Sequence, residues 1–340
     1  MADSHETKDE EGTGLPRGVI PSLPTPFKDD GALDLDGLGA LVEHQVKAGV
    51  HALAVLGAMG EVAYLLSEEH APVIRTTVDR AAGRVPVIVG ISTSSTRQAV
   101  AEGQEAREAG ASGLLVALPS AHRLPLPSVL AHFRTLAVEA GLPLILDRSL
   151  ALTRWTASDA EIGRLLDTAG FKGLREARAR PLHDLKLHSA RAEKTALYVG
   201  NYSLLPEALD YGAAGTICSV VSLFPEEAVT LFEAYEDGDL VVSRQLTGQL
   251  APIVPALFGA RFSRTLSRGL LRVARAGMPV PRVNEPVMSA IKYGLGIQGL
   301  PISPRVRKPL PEVNARQRAQ IRAELIRLGL IGGSDVRTVS

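Results

Sequence analysis

Cysteine is almost absent from the 340-residue sequence, with Cys218 the only one. An internal disulfide and any metal site built from clustered cysteines are thereby excluded, a usage that suits a reducing cytoplasm. Charge of one sign is missing as well, because Lys+Arg and Asp+Glu number 37 each and the formal net charge is +0. A nucleic-acid or anionic-membrane binder draws its partner with a field that this chain lacks. No apolar run approaches the roughly 20 residues that span a bilayer. The expected partner is therefore a small molecule, with neither nucleic acid nor membrane involved. What remains is ordinary globular usage, 45% hydrophobic and 22% charged, which excludes disorder, collagen-like repeats and coiled coil for the bulk of the chain. The first fifteen residues are polar and acidic without an apolar stretch, so they read as a loose arm rather than a signal peptide.

Short β-branched runs recur along the chain, each followed by a polar turn and a stretch with helical spacing. Eight strands are predicted, near Gly18 to Ser22, His51 to Leu56, Val85 to Ile91, Gly113 to Leu118, Pro143 to Asp147, Phe171 to Glu176, Ala196 to Asn201 and Gly215 to Val220. Leu35 to Ala48, Thr96 to Ala109 and Leu126 to Ala140 carry apolar residues at three- and four-residue intervals, as helices packed on a sheet require. Ser158 to Glu161 reads as a capping box. Glycines in Ala48-Gly-Val, Ala109-Gly-Ala and Ala213-Ala-Gly are expected to end helices. Eight βα units with no second sheet argue for a closed (β/α)8 TIM barrel with a C-terminal helical extension. The dinucleotide-binding alternative lacks a G-x-G-x-x-G after the first strand. The expected organisation is an arm over 1–16, a barrel over 17–224, a helical region over 225–330 and a tail over 331–340. In such a barrel, chemistry sits at the C-terminal ends of the strands.

Gly18-Val-Ile-Pro-Ser-Leu-Pro-Thr-Pro-Phe27, Gly57-Ala-Met-Gly-Glu61, Ala109-Gly-Ala-Ser-Gly-Leu-Leu-Val116, Leu142-Pro-Leu-Ile-Leu146, Lys172-Gly-Leu-Arg-Glu176, Gly212-Ala-Ala-Gly-Thr-Ile217 and Met288-Ser-Ala-Ile-Lys-Tyr293 follow one another in order. In this set the chain resembles the dihydrodipicolinate synthase and N-acetylneuraminate lyase family of (β/α)8 class I aldolases. The resemblance implies a 2-oxo acid held as a Schiff base on a lysine ending the sixth strand, with a tyrosine from the fifth strand relaying protons. It assigns the lysine's place to Arg175 and the tyrosine's to Asp147. The family's Gly-Thr-Thr-Gly-Glu, whose hydroxyls hold the substrate carboxylate, becomes Gly57, Ala58, Met59, Gly60 and Glu61. An intersubunit aromatic pair falls on Ser120 and Ala121, and an arginine at the site's mouth on Leu152. Members of the family are commonly tetramers, so a homo-oligomer, dimer or tetramer, is expected.

An arginine cannot replace the lysine, because imine formation needs a neutral amine and a guanidinium stays charged up to about pH 12. Nucleophile, proton relay and anion clamp thus change together. Of the few other lysines, Lys172 lies an odd three residues before Arg175, on the opposite strand face, and Lys292 is expected outside the barrel mouth. Asp147 and Arg175 should end adjacent parallel strands and meet as a charge-assisted pair. Either Arg175 anchors a ligand carboxylate with Asp147 as base or orienter, or the two form a closed pair that fills the old pocket. His122 is a weaker proton-carrier candidate beside Arg123, equally readable as a solvated loop residue. Gly57, Ala58, Met59, Ser120, Asn201 and Ile217 complete the candidate ligand contacts. Cys218 has no histidine placed to activate it and reads as core. Without H-E-x-x-H spacing, neither a metal nor any other cofactor is expected. Three functions remain open: a small-acid binder working as a lyase, hydratase or hydrolase without an imine, a non-catalytic homologue, and an aldolase using another lysine.

Overall fold

The computed structural model describes residues 12–93, 95–117, 124–149, 157–178, 180–258 and 287–332. Its eight strands are β1 (Gly18–Ile20), β2 (Leu53–Val55), β3 (Val87–Ile91), β4 (Gly113–Ala117), β5 (Leu144–Arg148), β6 (Phe171–Glu176), β7 (Ala196–Val199) and β8 (Gly215–Ile217). All are parallel, in the order β1-β8-β7-β6-β5-β4-β3-β2. A parallel bridge between Ser22 and Ala54 joins the two ends of that order. The bond from Ala54 N to Pro21 O (2.9 Å) and that from Leu23 N to Ala54 O (2.8 Å) close the ring. The predicted (β/α)8 barrel is what forms.

Alternation along each strand sorts side chains into two apolar sets. Inside the ring, Ile20, Ala54, Ile88, Leu115, Ile145, Tyr198 and Ile217 form one cluster. Outside it, residues such as Leu53, Val89, Leu114, Leu146 and Leu174 pack against the helices. Burying a side chain of this size contributes about 1.5–3 kcal/mol. The arm expected over residues 1–16 is not loose at its C-terminal end. Leu15 is buried in the inner cluster, and Tyr198 Oη donates to Pro16 O at 2.7 Å, so this stretch stoppers the N-terminal end of the barrel.

The helices α1 (Leu35–Lys47), α2 (Ser67–Ala81), α3 (Thr96–Glu108), α4 (Leu126–Ala140), α5 (Asp159–Thr168), α6 (Pro181–His188) and α7 (Leu205–Leu209) follow their strands. The Ser158 and Glu161 capping box opens α5 as expected. Gly49 and Gly110 take positive φ at helix ends, but in the third connection Gly212 does so and Gly215 begins β8. Beyond the barrel come α8 (Pro225–Glu236), α9 (Leu240–Leu250), α10 (Ile253–Leu257), α11 (Val287–Ile297) and α12 (Ala315–Arg327). Among the described residues no helix is long and apolar enough to cross a membrane.

Candidate functional site at the barrel mouth

Ile145 points into the ring, so Asp147, two residues on, points the same way at the C-terminal rim. Gly173 also faces inward, since a Cβ there would meet Leu15 and Ile145 at 2.9 and 3.0 Å, which turns Arg175 inward too. Register places Asp147 directly opposite Arg175. Their heads meet: Arg175 Nη1 donates to Asp147 Oδ1 at 2.8 Å. Arg175 Nε donates to Ile217 O at 2.8 Å, so one guanidinium ties β5, β6 and β8 together at the rim. Asp147 is almost closed off, with 1% of its side chain exposed, against 11% for Arg175. Asp147 Oδ2 is buried and has no hydrogen-bond partner.

One residue further along, the same register pairs Arg148 with Glu176 on the outer face of the sheet. Arg148 Nη1 lies 2.9 Å from Glu176 Oε2, within ion-pair distance but poorly aligned for a hydrogen bond. Glu176 Oε1 accepts from Arg178 N at 2.9 Å, and Arg178 Nη2 reaches Asp184 Oδ2 at 2.9 Å. Burial pushes the Glu176 carboxyl well above its usual range, against the pull of Arg148. Burial, with Arg148 and Arg191 nearby, likewise holds His188 below the usual histidine value. These groups fasten α5 and α6 to the strand ends beneath the rim. Sequence reasoning did not single out the Arg148 and Glu176 pair, although Asp-Arg on one strand facing Arg-Glu on its neighbour was the signal for two stacked pairs.

The turn after β2 holds a third buried charge. Leu56 and Glu61 both take positive φ, 55° and 59°. Gly90 permits the first of these bends, since a Cβ there would sit 2.1 Å from Leu56 O. Glu61 is completely buried, and its two oxygens are both used: Oε1 accepts from Lys292 Nζ at 2.5 Å and Oε2 from Arg307 N at 2.8 Å. Lys292 also donates to Arg305 O at 2.7 Å and lies 4.3 Å from the centre of the Phe27 ring. Burial pulls this ammonium down to about 8, although Glu61 opposes the shift. Lys292, expected outside the barrel mouth, is not a solvent-facing residue. It is wholly buried on α11, with its ammonium reaching the β2 turn at Glu61. Glu61 accordingly serves as its counter-ion as well as shaping the turn.

The remaining candidates separate clearly. Gly57 begins a single 3-10 turn over Ala58–Gly60, and Thr25 Oγ1 donates to Gly60 O at 2.7 Å, so this turn is pinned to the segment after β1. Ala58 and Met59 are half-buried, Met59 against the outer core. Ile217 contributes its carbonyl to Arg175. Asn201 Oδ1 accepts from Ser203 N at 3.1 Å, capping the turn after β7. Cys218 is buried in the core, and Lys172 is exposed on the outer side of β6. Ser120 and His122 lie outside the described residues, as do Leu118, Ala121, Arg123 and Leu152. Among the described residues no three His, Cys, Asp or Glu side chains cluster as metal ligands would.

An inward acid and base at the rim of a (β/α)8 barrel form a site type shared by many enzymes, so relatives decide its lineage. The sequence pattern of the dihydrodipicolinate synthetase family matches residues 15–282. The chain belongs to that family. This synthetase-family chain is 30% identical to an uncharacterised DapA-like lyase of Halobacterium salinarum, over 94% of its own length and 97% of the relative's. It is 31% identical to a 4-hydroxy-tetrahydrodipicolinate synthase of Hyphomonas neptunium, over 92% and 98%. Among solved structures, it is similar to YagE of E. coli K12, a family member in complex with pyruvate. There the TM-score is 0.80 at 26% identity, covering 92% of this chain and 99% of that one.

Proposed function

We propose that this family member binds a small carboxylate-bearing ligand at the barrel mouth, with Arg175 as anion anchor and Asp147 as its proton-handling partner. Any turnover there is lyase, hydratase or hydrolase chemistry that runs without an imine. One observation carries this: the 2.8 Å bond between Arg175 and Asp147, facing inward at the C-terminal rim where barrel enzymes keep their chemistry. The resemblance assigns the lysine's place to Arg175, and a guanidinium offers no free lone pair for attack on a carbonyl.

Arg175 is fixed in orientation by Asp147 on one side and by Ile217 O on the other, so its charge is already aimed when an acid arrives. Asp147 keeps one oxygen uncommitted and can accept a proton from a bound ligand. The pyruvate bound by YagE supports an acid of this size as the ligand class. A thermal-shift panel of 2-oxo acids, sugar acids and amino acids tests the assignment, because a ligand binding only the folded state raises its stability, by about 2.7 kcal/mol at 100 times its Kd. At least one acid should raise the melting temperature of the native protein, and Arg175→Gln should abolish that rise. A panel without any shift overturns the assignment. A second possibility, a non-catalytic homologue with a structural or regulatory role, is favoured by the near-complete burial of Asp147, which fits an ion pair that merely fills the mouth.

A further inference from the structure

We infer that the acid taken at this mouth is a 2-hydroxy acid rather than a 2-oxo acid, an assignment that rests on the proposed acid site and narrows its ligand. The bonds already made at the rim decide which valences are left. Arg175 has committed Nη1 to Asp147 and Nε to Ile217 O, and among the described residues no acceptor meets Nη2. Asp147 has committed Oδ1, while Oδ2 is buried and unpartnered. The pair therefore keeps an uncommitted guanidinium edge at Nη2 and one carboxylate oxygen, Oδ2, that is buried without a partner, the two linked through the 2.8 Å contact.

A carboxylate on Nη2 satisfies the donor. The acceptor then needs a hydrogen from the same ligand, and the hydroxyl of a 2-hydroxy acid stands one carbon away from its carboxylate. A 2-oxo acid carries only acceptors in that position and would leave Asp147 Oδ2 facing another lone pair. Leaving a buried acceptor unsatisfied is the more costly arrangement, and sites built to bond a substrate hydroxyl discriminate strongly against analogues without one. Ile217 O is a further acceptor. A 2-amino acid also donates, its ammonium meeting the Asp147 carboxylate and the Arg175 guanidinium at once, so alanine is the comparison that a neutral hydroxyl donor must outbind.

Isothermal titration of the full-length protein with D-lactate, L-lactate, pyruvate and L-alanine tests this directly. One lactate enantiomer should bind about tenfold or more tighter than pyruvate, and tighter than alanine. Asp147→Asn, checked for folding by circular dichroism, turns the open acceptor into an amide donor and should shrink or reverse the preference. Pyruvate binding as tightly as lactate, alanine binding best, or an unchanged ratio in a folded Asp147→Asn protein would overturn the inference while leaving an acid site standing. If Asp147→Asn does not fold, the native lactate-to-pyruvate ratio decides alone. If none of the four probes binds, the acid site itself fails and the hydroxy-acid assignment falls with it.

Discussion

Two buried ion pairs at the same end of this barrel are bonded to very different degrees. Glu61 and Lys292 join the β2 turn to α11, 231 residues apart in sequence. The bonding there is dense: both Glu61 oxygens are used, the ammonium has two oxygen acceptors, and the Phe27 face lies beneath it. Asp147 and Arg175 join neighbouring strands, yet one carboxylate oxygen is left open and the guanidinium keeps an exposed edge. Burying charge is costly unless geometry and extra hydrogen bonds offset the desolvation. A fully bonded pair is a fastener, whereas a pair with open valences retains the capacity to bind.

The largest expected effect comes from breaking the fastener. Lys292→Met should destabilise the fold by about 3–5 kcal/mol in urea unfolding, because it leaves Glu61 buried without its counter-ion. Adding Glu61→Gln to it should recover a good part of that loss. A single-variant cost below about 1 kcal/mol would show that this pair does not hold the C-terminal segment.

The pH dependence of the same pair is a smaller effect with a definite sign. Burial lowers the folded-state value of Lys292 to about 8 from its ordinary 10.5. Between those values the unfolded chain holds the proton and the folded chain does not, so stability should rise with pH through that window. The rise should be about 1–2 kcal/mol from pH 8 to 9.5, and a Lys292→Met protein should show a flatter profile over the same range.

The open pair should behave in the opposite way. Replacing both partners, Asp147→Leu with Arg175→Met, should leave stability within about 1 kcal/mol of the native protein, since apolar pairs often replace buried ion pairs without loss. Acid binding should vanish in the same variant. A loss of stability as large as that of Lys292→Met would make the two pairs equivalent and remove the distinction between them.

Much of the barrel was legible because its signals are local. Alternation and helical spacing located all eight strands, and the same alternation, with parallel register, turned Asp147 and Arg175 toward each other. The outer pair of Arg148 and Glu176 was not singled out, although the same register shifted by one residue carried it. What escaped was non-local. Nothing near Lys292 in sequence points to Glu61, and the pairing exists only because α11 returns to the β2 turn. Leu15 escaped for a related reason: a lone apolar residue ending a polar arm has no period, and only the closed ring supplies the inner cluster that buries it. The φ of 55° at Leu56 was also hidden, since its enabling residue, Gly90, sits on a different strand.

The claim that this mouth works through an ion pair and not through an imine is tested most directly by incubating the protein with pyruvate and sodium borohydride and measuring its intact mass. The mass is expected to stay that of the unmodified chain. A pyruvate-derived addition that peptide mapping places on a lysine would contradict the claim outright.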